Sequence, residues 1–134
     1  MNNMDIRELN IGDFVKVKDT GKIGKITAMI KGKYQEPQID VDSEEKELDE
    51  IEPVPYTKEL HEKIWGKKLK VEGEYSPIFI CPSGAGSVNK LSFHIESYST
   101  IQKMVYVKDL HFLQNFLRGI GEYELLDKIE NMTL

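Results

Sequence analysis

The sequence has one cysteine, Cys81, no long apolar run and no recognisable catalytic motif among its 134 residues. One thiol excludes an internal disulfide framework and a zinc site built from several cysteines of one chain. No apolar stretch approaches the roughly 20 residues that a membrane helix needs. Because the polar opening MNNMDIRELN also lacks the apolar segment of a signal peptide, we expect a cytoplasmic protein with no membrane partner.

The size and the composition predict an ordinary globular chain. Hydrophobic residues make up 40% of the sequence and charged residues 31%, values that are normal for soluble domains. A chain of this length buries roughly two-thirds of the surface that its unfolded form exposes, so its core needs no covalent staples. We therefore expect one compact domain or two very small ones.

The net charge of −5 conceals two blocks of opposite sign. Residues 13–33 hold six lysines and two aspartates, a balance of +4, whereas residues 36–52 hold nine acidic residues and one lysine, a balance of −8. If the blocks form neighbouring strands, each lysine–carboxylate pair contributes a few tenths to about 1 kcal/mol. Such compensation weakens the case for nucleic-acid binding, which needs unpaired positive charge. The expected pairs join Lys16, Lys18 and Lys25 to Asp40 and Asp42.

Alternating apolar and polar residues predict short strands in the N-terminal half. Residues 11–18 and 23–31 are the expected opening strands, joined by a tight turn. Residues 38–42 alternate again, residues 43–46 are expected to be a turn, and residues 47–52 to be a short fourth strand or an extended segment. Four or five short strands within about 45 residues are typical of a small antiparallel barrel.

The C-terminal half mixes helix and strand signals. Thr57 and Gly66 are typical flanking residues of a helix, and Asp109 and Gly121 frame a second one. A third, short helix is expected at residues 122–132. Strands are expected at residues 67–72, 77–81, 91–95 and 101–107.

The motif GDFVKV at residues 12–17, followed by Gly21 and Gly24, resembles the opening of a KOW-type SH3-like barrel. In that family a GDxVxV strand, a turn and a glycine-bearing second strand begin the barrel. The resemblance implies a role in ribosome, transcription or partner binding. The expected fold class is α+β, with an SH3-like β-barrel in residues 1–56 and a small antiparallel sheet with two or three helices in residues 57–134, packed as one unit.

The segments LNIGDFV (9–15), LDEIEPVPYT (48–57) and VKDLHFLQNF (107–116) are similar to the opening, middle and ending of a group of small uncharacterised bacterial and phage proteins. That group starts with an LRIGNxV-like motif and ends with a YVHQLQNLYF-like motif. The resemblance spans nearly the whole chain, which implies one integrated architecture. It implies no activity.

The loop at residues 82–90 is the candidate ligand site. Successive backbone N–H groups of small residues form an anion-binding nest in many proteins, and a lysine adds positive charge. The ligand would be a small anion such as a nucleotide, although the GxxxxGK[ST] pattern of a phosphate loop is not met. The alternative is a plain hairpin tip between two strands. The candidate residues are Ser83, Gly84, Gly86, Ser87, Asn89 and Lys90.

Cys81 precedes this loop and leaves two alternatives open. A nucleophilic cysteine needs a neighbouring base, and His61, His94 and His111 lie in three different predicted elements, so a Cys–His pair is one alternative. The other is a buried, inert thiol, because free cysteine is among the most buried residue types. The histidines lack the i, i+4 spacing and the HExxH motif of metal sites, so we expect no metal centre and no cofactor.

Three polar residues of the predicted C-terminal helix, His111, Gln114 and Asn115, are candidates for a partner surface. The alternative is that they bond the edge of the sheet, because most buried polar side chains satisfy backbone groups. Together these observations favour a small non-enzymatic binding protein, an accessory of a phage or mobile element that binds a host protein or a nucleotide-type ligand, and a candidate homo-oligomer. A nucleic-acid-binding KOW-like module is the alternative, and an enzyme that uses Cys81 with a histidine is a third hypothesis.

Overall fold

The N-terminal half forms a five-stranded antiparallel sheet in a computed structural model, which describes residues 5–30, 37–82, 92–97, 104–132 and 134. Its strands are β1 (Phe14–Val17), β2 (Ile23–Ile30), β3 (Gln38–Val41), β4 (Glu44–Lys46) and β5 (Ile51–Pro53). Their order across the sheet is β4-β3-β2-β1-β5, so the last strand returns to pair with the first. Two 3-10 helices, Ile6–Glu8 and Leu48–Glu50, precede β1 and β5.

The predicted turn at residues 43–46 is wrong, because most of this segment is strand β4. Asp42 and Ser43 adopt positive φ angles of 50° and 68°, which is the backbone of a two-residue hairpin turn whose twist matches that of its strands. The turn therefore occupies only two residues, and pairing resumes at once with Val41 opposite Glu44. Residues 47–52, predicted to be a short strand or an extended segment, contain instead the 3-10 helix Leu48–Glu50, and strand β5 begins only at Ile51.

The predicted pairing of lysines with the acidic strand is also wrong for β1. This strand lies between β2 and β5, and Lys16 stands opposite Ile23 and Glu52. The acidic strand β3 pairs with β2 and β4, beyond the reach of β1. Lys25 meets Asp42 through its backbone N–H, which donates to Asp42 Oδ1 at 3.0 Å. The ammonium group of Lys25 donates instead to the carbonyl oxygen of Glu130.

In the part of the C-terminal half that the structure describes, the chain forms a four-stranded antiparallel sheet and three helices. The strands are β6 (Val71–Glu72), β7 (Ile78–Pro82), β8 (Phe93–Ser97) and β9 (Met104–Val107), in that order across the sheet. The helices are α1 (Lys58–Trp65), α2 (Leu110–Ile120) and α3 (Tyr123–Glu130). The mixed α+β class predicted from the sequence is therefore confirmed. No helix among the described residues is long and apolar enough to cross a membrane.

Local signals place the ends of these helices as expected. Thr57 Oγ1 accepts a hydrogen bond from the N–H of Leu60 at 3.2 Å, which caps the first turn of α1. Gly66 ends α1 with φ of 76°, and Gly121 ends α2 with φ of 81° in the left-handed region. Both glycines occupy a conformation that residues with a Cβ atom rarely adopt.

The buried apolar side chains of the described residues form two clusters. The smaller one is formed by the first sheet and the segment before it, and it comprises Leu9, Val15, Val17, Ile26, Ile39, Val41 and Ile51. The larger one lies between the second sheet and the helices, and it also takes in Phe14, Val54 and Tyr56 from the N-terminal half. Because this core crosses residue 56, the two halves share buried apolar surface. The division of the chain at residue 56 stays a prediction.

Candidate functional site

Gln114 joins the two halves through its buried amide. The Phe14 N–H donates to Gln114 Oε1 at 2.9 Å, and Gln114 Nε2 donates to the Gly12 carbonyl oxygen at 2.9 Å. The side chain is fully buried and bonds the backbone much as a neighbouring strand would. The amide of Gln114 thus bonds backbone groups of the first sheet and the residues before it, which corresponds to the alternative given for it in the sequence analysis.

A polar cluster around the buried carboxylate of Asp13 continues this junction. Asp13 Oδ2 accepts from the Asn10 N–H and from Asn115 Nδ2, both at 2.9 Å. Arg118 Nη2 lies 3.4 Å from Asp13 Oδ1 and 3.1 Å from Glu130 Oε1. Burial raises the pKa of the Asp13 carboxyl, while these hydrogen bonds and the guanidinium act in the opposite direction.

A groove of about 670 Å³ opens beside this cluster, between the N-terminal segment and the start of α2. We call it the junction groove. Its lining includes Arg7, Glu8, Tyr106, His111, Phe112 and Asn115. Tyr106 is 66% exposed, so the groove combines an open aromatic ring with charged groups of both signs.

His111 forms the floor of the junction groove. It is buried, with Nε2 at 4.0 Å from Glu8 Oε2 and 3.9 Å from Asp109 Oδ2. Its Nδ1 has no hydrogen-bond partner among the described residues. His111 and Asn115 thus both line the junction groove, whereas the buried Gln114 is not among its lining residues. A partner surface at these residues stays a prediction.

The predicted ligand loop lies outside the described residues. This holds for all six of its candidates, Ser83, Gly84, Gly86, Ser87, Asn89 and Lys90. The anion-binding nest and the hairpin tip both remain alternatives for it.

Cys81 lies next to His94, as the Cys–His alternative from the sequence analysis required. Strand pairing sets Cys81 directly opposite His94, and Sγ lies 3.3 Å from His94 Nε2. Glu96, two residues further along β8 and hence on the same face, brings Oε2 to 3.8 Å from the sulfur and 3.7 Å from His94 Nε2. Burial first, and then the charge of Glu96, raise the pKa of the Cys81 thiol. A thiol that stays protonated near neutral pH is a poor nucleophile.

A second candidate base, His61, is held in a buried structural network. Its Nε2 lies 2.8 Å from the carbonyl oxygen of Lys68, which can only accept, so Nε2 carries the proton. Its Nδ1 then accepts from Tyr56 Oη at 2.6 Å, and Trp65 Nε1 donates to the same hydroxyl at 2.9 Å. The ring also stacks on Phe93 with a centroid distance of 4.2 Å. Burial lowers the pKa of His61, which keeps the ring neutral.

Sequence reasoning missed Asp13, Arg118 and Glu96 as parts of these clusters. Asp13 belongs to the GDFVKV motif and was otherwise counted only in the charge balance of residues 13–33. Glu96 alternates with His94, which was a detectable signal, but the partner across the hairpin depends on strand register.

Comparison with known proteins assigns neither a family nor a function to the chain. No model of a protein family matches the chain, and no curated protein or solved structure shows detectable similarity to it. The fold and these side-chain clusters are therefore the basis for any functional proposal.

Proposed function

We propose that this chain is a small, non-enzymatic binding protein whose junction groove takes an extended segment of a partner protein. The observation that carries the proposal is the position of Tyr106, exposed on strand β9 at the side of a groove of about 670 Å³. Tyrosine is among the residues that most often dominate the energy of protein interfaces.

The open edge of the second sheet supports an extended partner. β9 is the last strand of its sheet, and among the described residues only β8 pairs with it. Unpaired N–H and C=O groups on such an edge accept an added strand, while pockets beside the edge select its side chains. Val105 and Tyr106 line the junction groove, so an added strand would lie along it.

The lining of the groove indicates what such a segment would carry. Val105, Tyr106 and Phe112 supply apolar surface. The lining also holds two charged side chains of each sign, the basic Arg7 and Lys108 and the acidic Glu8 and Asp109. A segment with an aromatic or aliphatic anchor between polar residues fits this combination, because interface centres are apolar and their rims polar.

Selection from a library of short random peptides displayed on phage tests this proposal. We expect enriched peptides that share an apolar anchor, and amide chemical-shift changes confined to β9, the start of α2 and residues 7–10. Replacement Tyr106→Ala should weaken binding about tenfold or more, as loss of a central aromatic anchor does.

Tyr123→Ala is the matched control, because Tyr123 is a 58% exposed tyrosine on α3 that does not line the groove. Its affinity for the selected peptides should equal that of the unchanged chain. The proposal fails if no peptide is enriched, or if Tyr106→Ala and Tyr123→Ala bind the peptides equally well.

We also propose that the first sheet is an SH3-like barrel of the KOW type and that the chain belongs with the small bacterial and phage proteins it resembles. Supporting the barrel is the return of β5 to pair with β1. The seven buried apolar residues of the smaller cluster lie within this sheet and the segment before it. A role as a phage or mobile-element accessory, including action on a host protein or as a homo-oligomer, follows from this proposal.

Nucleic-acid binding is the second candidate, and one observation favours it. Lys18 and Lys22, on the turn between β1 and β2, are exposed and form no ion pair with the described residues. Unpaired lysines attract phosphates in a salt-dependent manner. A gel shift over a range of salt concentrations decides the matter, because absence of binding even at low salt removes this candidate.

A nucleotide-type ligand at the loop of residues 82–90 is a further variant of the binding proposal. Thermal shift against a panel of nucleotides tests it, with Lys90→Ala as the variant expected to abolish any shift. A panel without any stabilising nucleotide contradicts it.

A further inference from the structure

Strands β7 and β8 bring three different metal-ligand atoms to one place. Cys81 pairs with His94 across the hairpin, and Glu96 follows His94 on the same face. Their nearest atoms are Cys81 Sγ, His94 Nε2 and Glu96 Oε2, which all lie within 4.8 Å of one another. Two adjacent strands fix this arrangement, so it does not depend on a loop.

The triangle of these atoms has the dimensions of a zinc site. Its edges are 3.3 Å (Sγ to Nε2), 3.8 Å (Sγ to Oε2) and 3.7 Å (Nε2 to Oε2). Tetrahedral zinc with usual bond lengths sets such pairs about 3.4–3.6 Å apart. The point equidistant from the three atoms lies about 2.1 Å from each, close to usual Zn–N and Zn–O bond lengths. A small shift of the metal away from the sulfur provides the longer bond to sulfur.

Cys81, His94 and Glu96 together have too few protons to give every acceptor atom of the cluster a hydrogen bond. A neutral imidazole has one protonated nitrogen, and a thiol has one proton. If Nε2 of His94 is unprotonated, the thiol of Cys81 can donate its one proton either to that nitrogen or to the carboxylate of Glu96, but not to both. His94 is 7% exposed, and its Nδ1 has no hydrogen-bond partner among the described residues. The buried imidazole is thus only partly satisfied within the chain.

We propose that Cys81, His94 and Glu96 bind one divalent cation of the zinc type. Binding forms one bond from the metal to each of the three atoms, and the thiol proton passes to solvent. A thiolate and an imidazole select zinc over magnesium and calcium, which prefer oxygen ligands. Three protein ligands leave a fourth position for water or for a group from a partner. The side chain of Glu96 is 36% exposed, which opens the site to solvent.

Metal titration of the whole purified chain, stripped with a chelator, tests the proposal. We expect one Zn²⁺ per chain by elemental analysis and by competition with a chromophoric chelator. Cobalt as a probe should give the intense visible bands of a tetrahedral site and a thiolate-to-metal charge-transfer band in the near ultraviolet. Magnesium and calcium should not displace it.

Single substitutions assign the ligands. Cys81→Ser and His94→Gln should each weaken Zn²⁺ binding by about 100-fold or more, beyond the tenfold to 100-fold typical of residues that only support a ligand. Glu96→Gln should weaken it by about tenfold or more. Glu72→Gln is the matched control, because Glu72 is an exposed glutamate on the same sheet and outside the cluster. It should bind zinc like the unchanged chain.

The cobalt spectrum keeps the test decisive even if a substituted chain does not fold, because it uses the unchanged protein. A spectrum without thiolate charge transfer, or a stoichiometry well below one, overturns the proposal. Equal zinc affinity in Cys81→Ser, His94→Gln and Glu72→Gln overturns it as well.

Discussion

Replacement Gln114→Leu should destabilise both halves of the chain together. Leucine has a similar size but removes both hydrogen bonds of the amide, and it leaves the Phe14 N–H and the Gly12 C=O without their partner. An unpaired buried backbone group costs about 1–3 kcal/mol. Because Gly12 is half-buried, water can replace part of the hydrogen bond that its carbonyl oxygen loses. We therefore expect the free energy of unfolding to fall by about 2–4 kcal/mol.

Urea unfolding measures this cost with two probes. Fluorescence of the single tryptophan, Trp65, reports on the C-terminal half, and hydrogen exchange of β1 amides reports on the N-terminal half. If the shared core and Gln114 couple the halves, both probes should lose the same free energy of unfolding. The melting temperature should fall by about 6–12 °C, from roughly 3 °C per kcal/mol for a chain of this size.

Gln38→Leu is the matched control, since Gln38 is an exposed glutamine at the end of β3. It should change the free energy of unfolding by less than about 0.5 kcal/mol. A Gln114→Leu effect as small as the control's would refute the role of the amide. Loss of stability in β1 alone, with the Trp65 transition unchanged, would refute the coupling of the halves.

Three further predictions concern other buried groups. Glu122→Gln should cost roughly 2–3 kcal/mol in urea unfolding, because the fully buried carboxylate accepts three N–H groups of residues 74–76. The pKa of His61 is lower in the folded chain than in the unfolded chain, so the unfolded chain binds more protons below pH about 6.5. The free energy of unfolding should therefore decrease as the pH falls through the folded pKa. His61→Gln should reduce this dependence of the unfolding free energy on pH. Gly24→Ala should cost about 1–3 kcal/mol in thermal unfolding, since its Cβ would lie 2.6 Å from Val41 Cγ1.

Local patterns predicted the elements whose signals are contained in a few neighbouring residues. The β1–β2 hairpin follows from alternation, and α1 follows from a capping threonine and a terminal glycine. The predicted turn over residues 43–46 was wrong because Asp42 and Ser43 adopt positive φ angles, which favour glycine, asparagine or aspartate. Ser43 is not one of these residues, so the pair lacks the full sequence signal of a two-residue turn.

Long-range contacts had no comparable signal. Gln114 meets Phe14 across 100 positions of the chain, and no local pattern specifies which backbone a buried amide will bond. Alternation along a strand sets His94 on the face opposite Phe93 and Ile95, but only the register of β7 with β8 places Cys81 opposite it. The sequence thus contained each candidate ligand of the proposed metal site without showing that they meet.

X-ray absorption at the zinc edge tests most directly the central claim that adjacent strands build a metal site from Cys81, His94 and Glu96. The zinc-loaded chain should show one sulfur at about 2.3 Å and two or three nitrogen or oxygen neighbours at about 2.0–2.2 Å, including the outer-ring signal of one imidazole. A shell of six oxygen neighbours without sulfur, as for zinc held loosely by surface carboxylates and water, would contradict the claim.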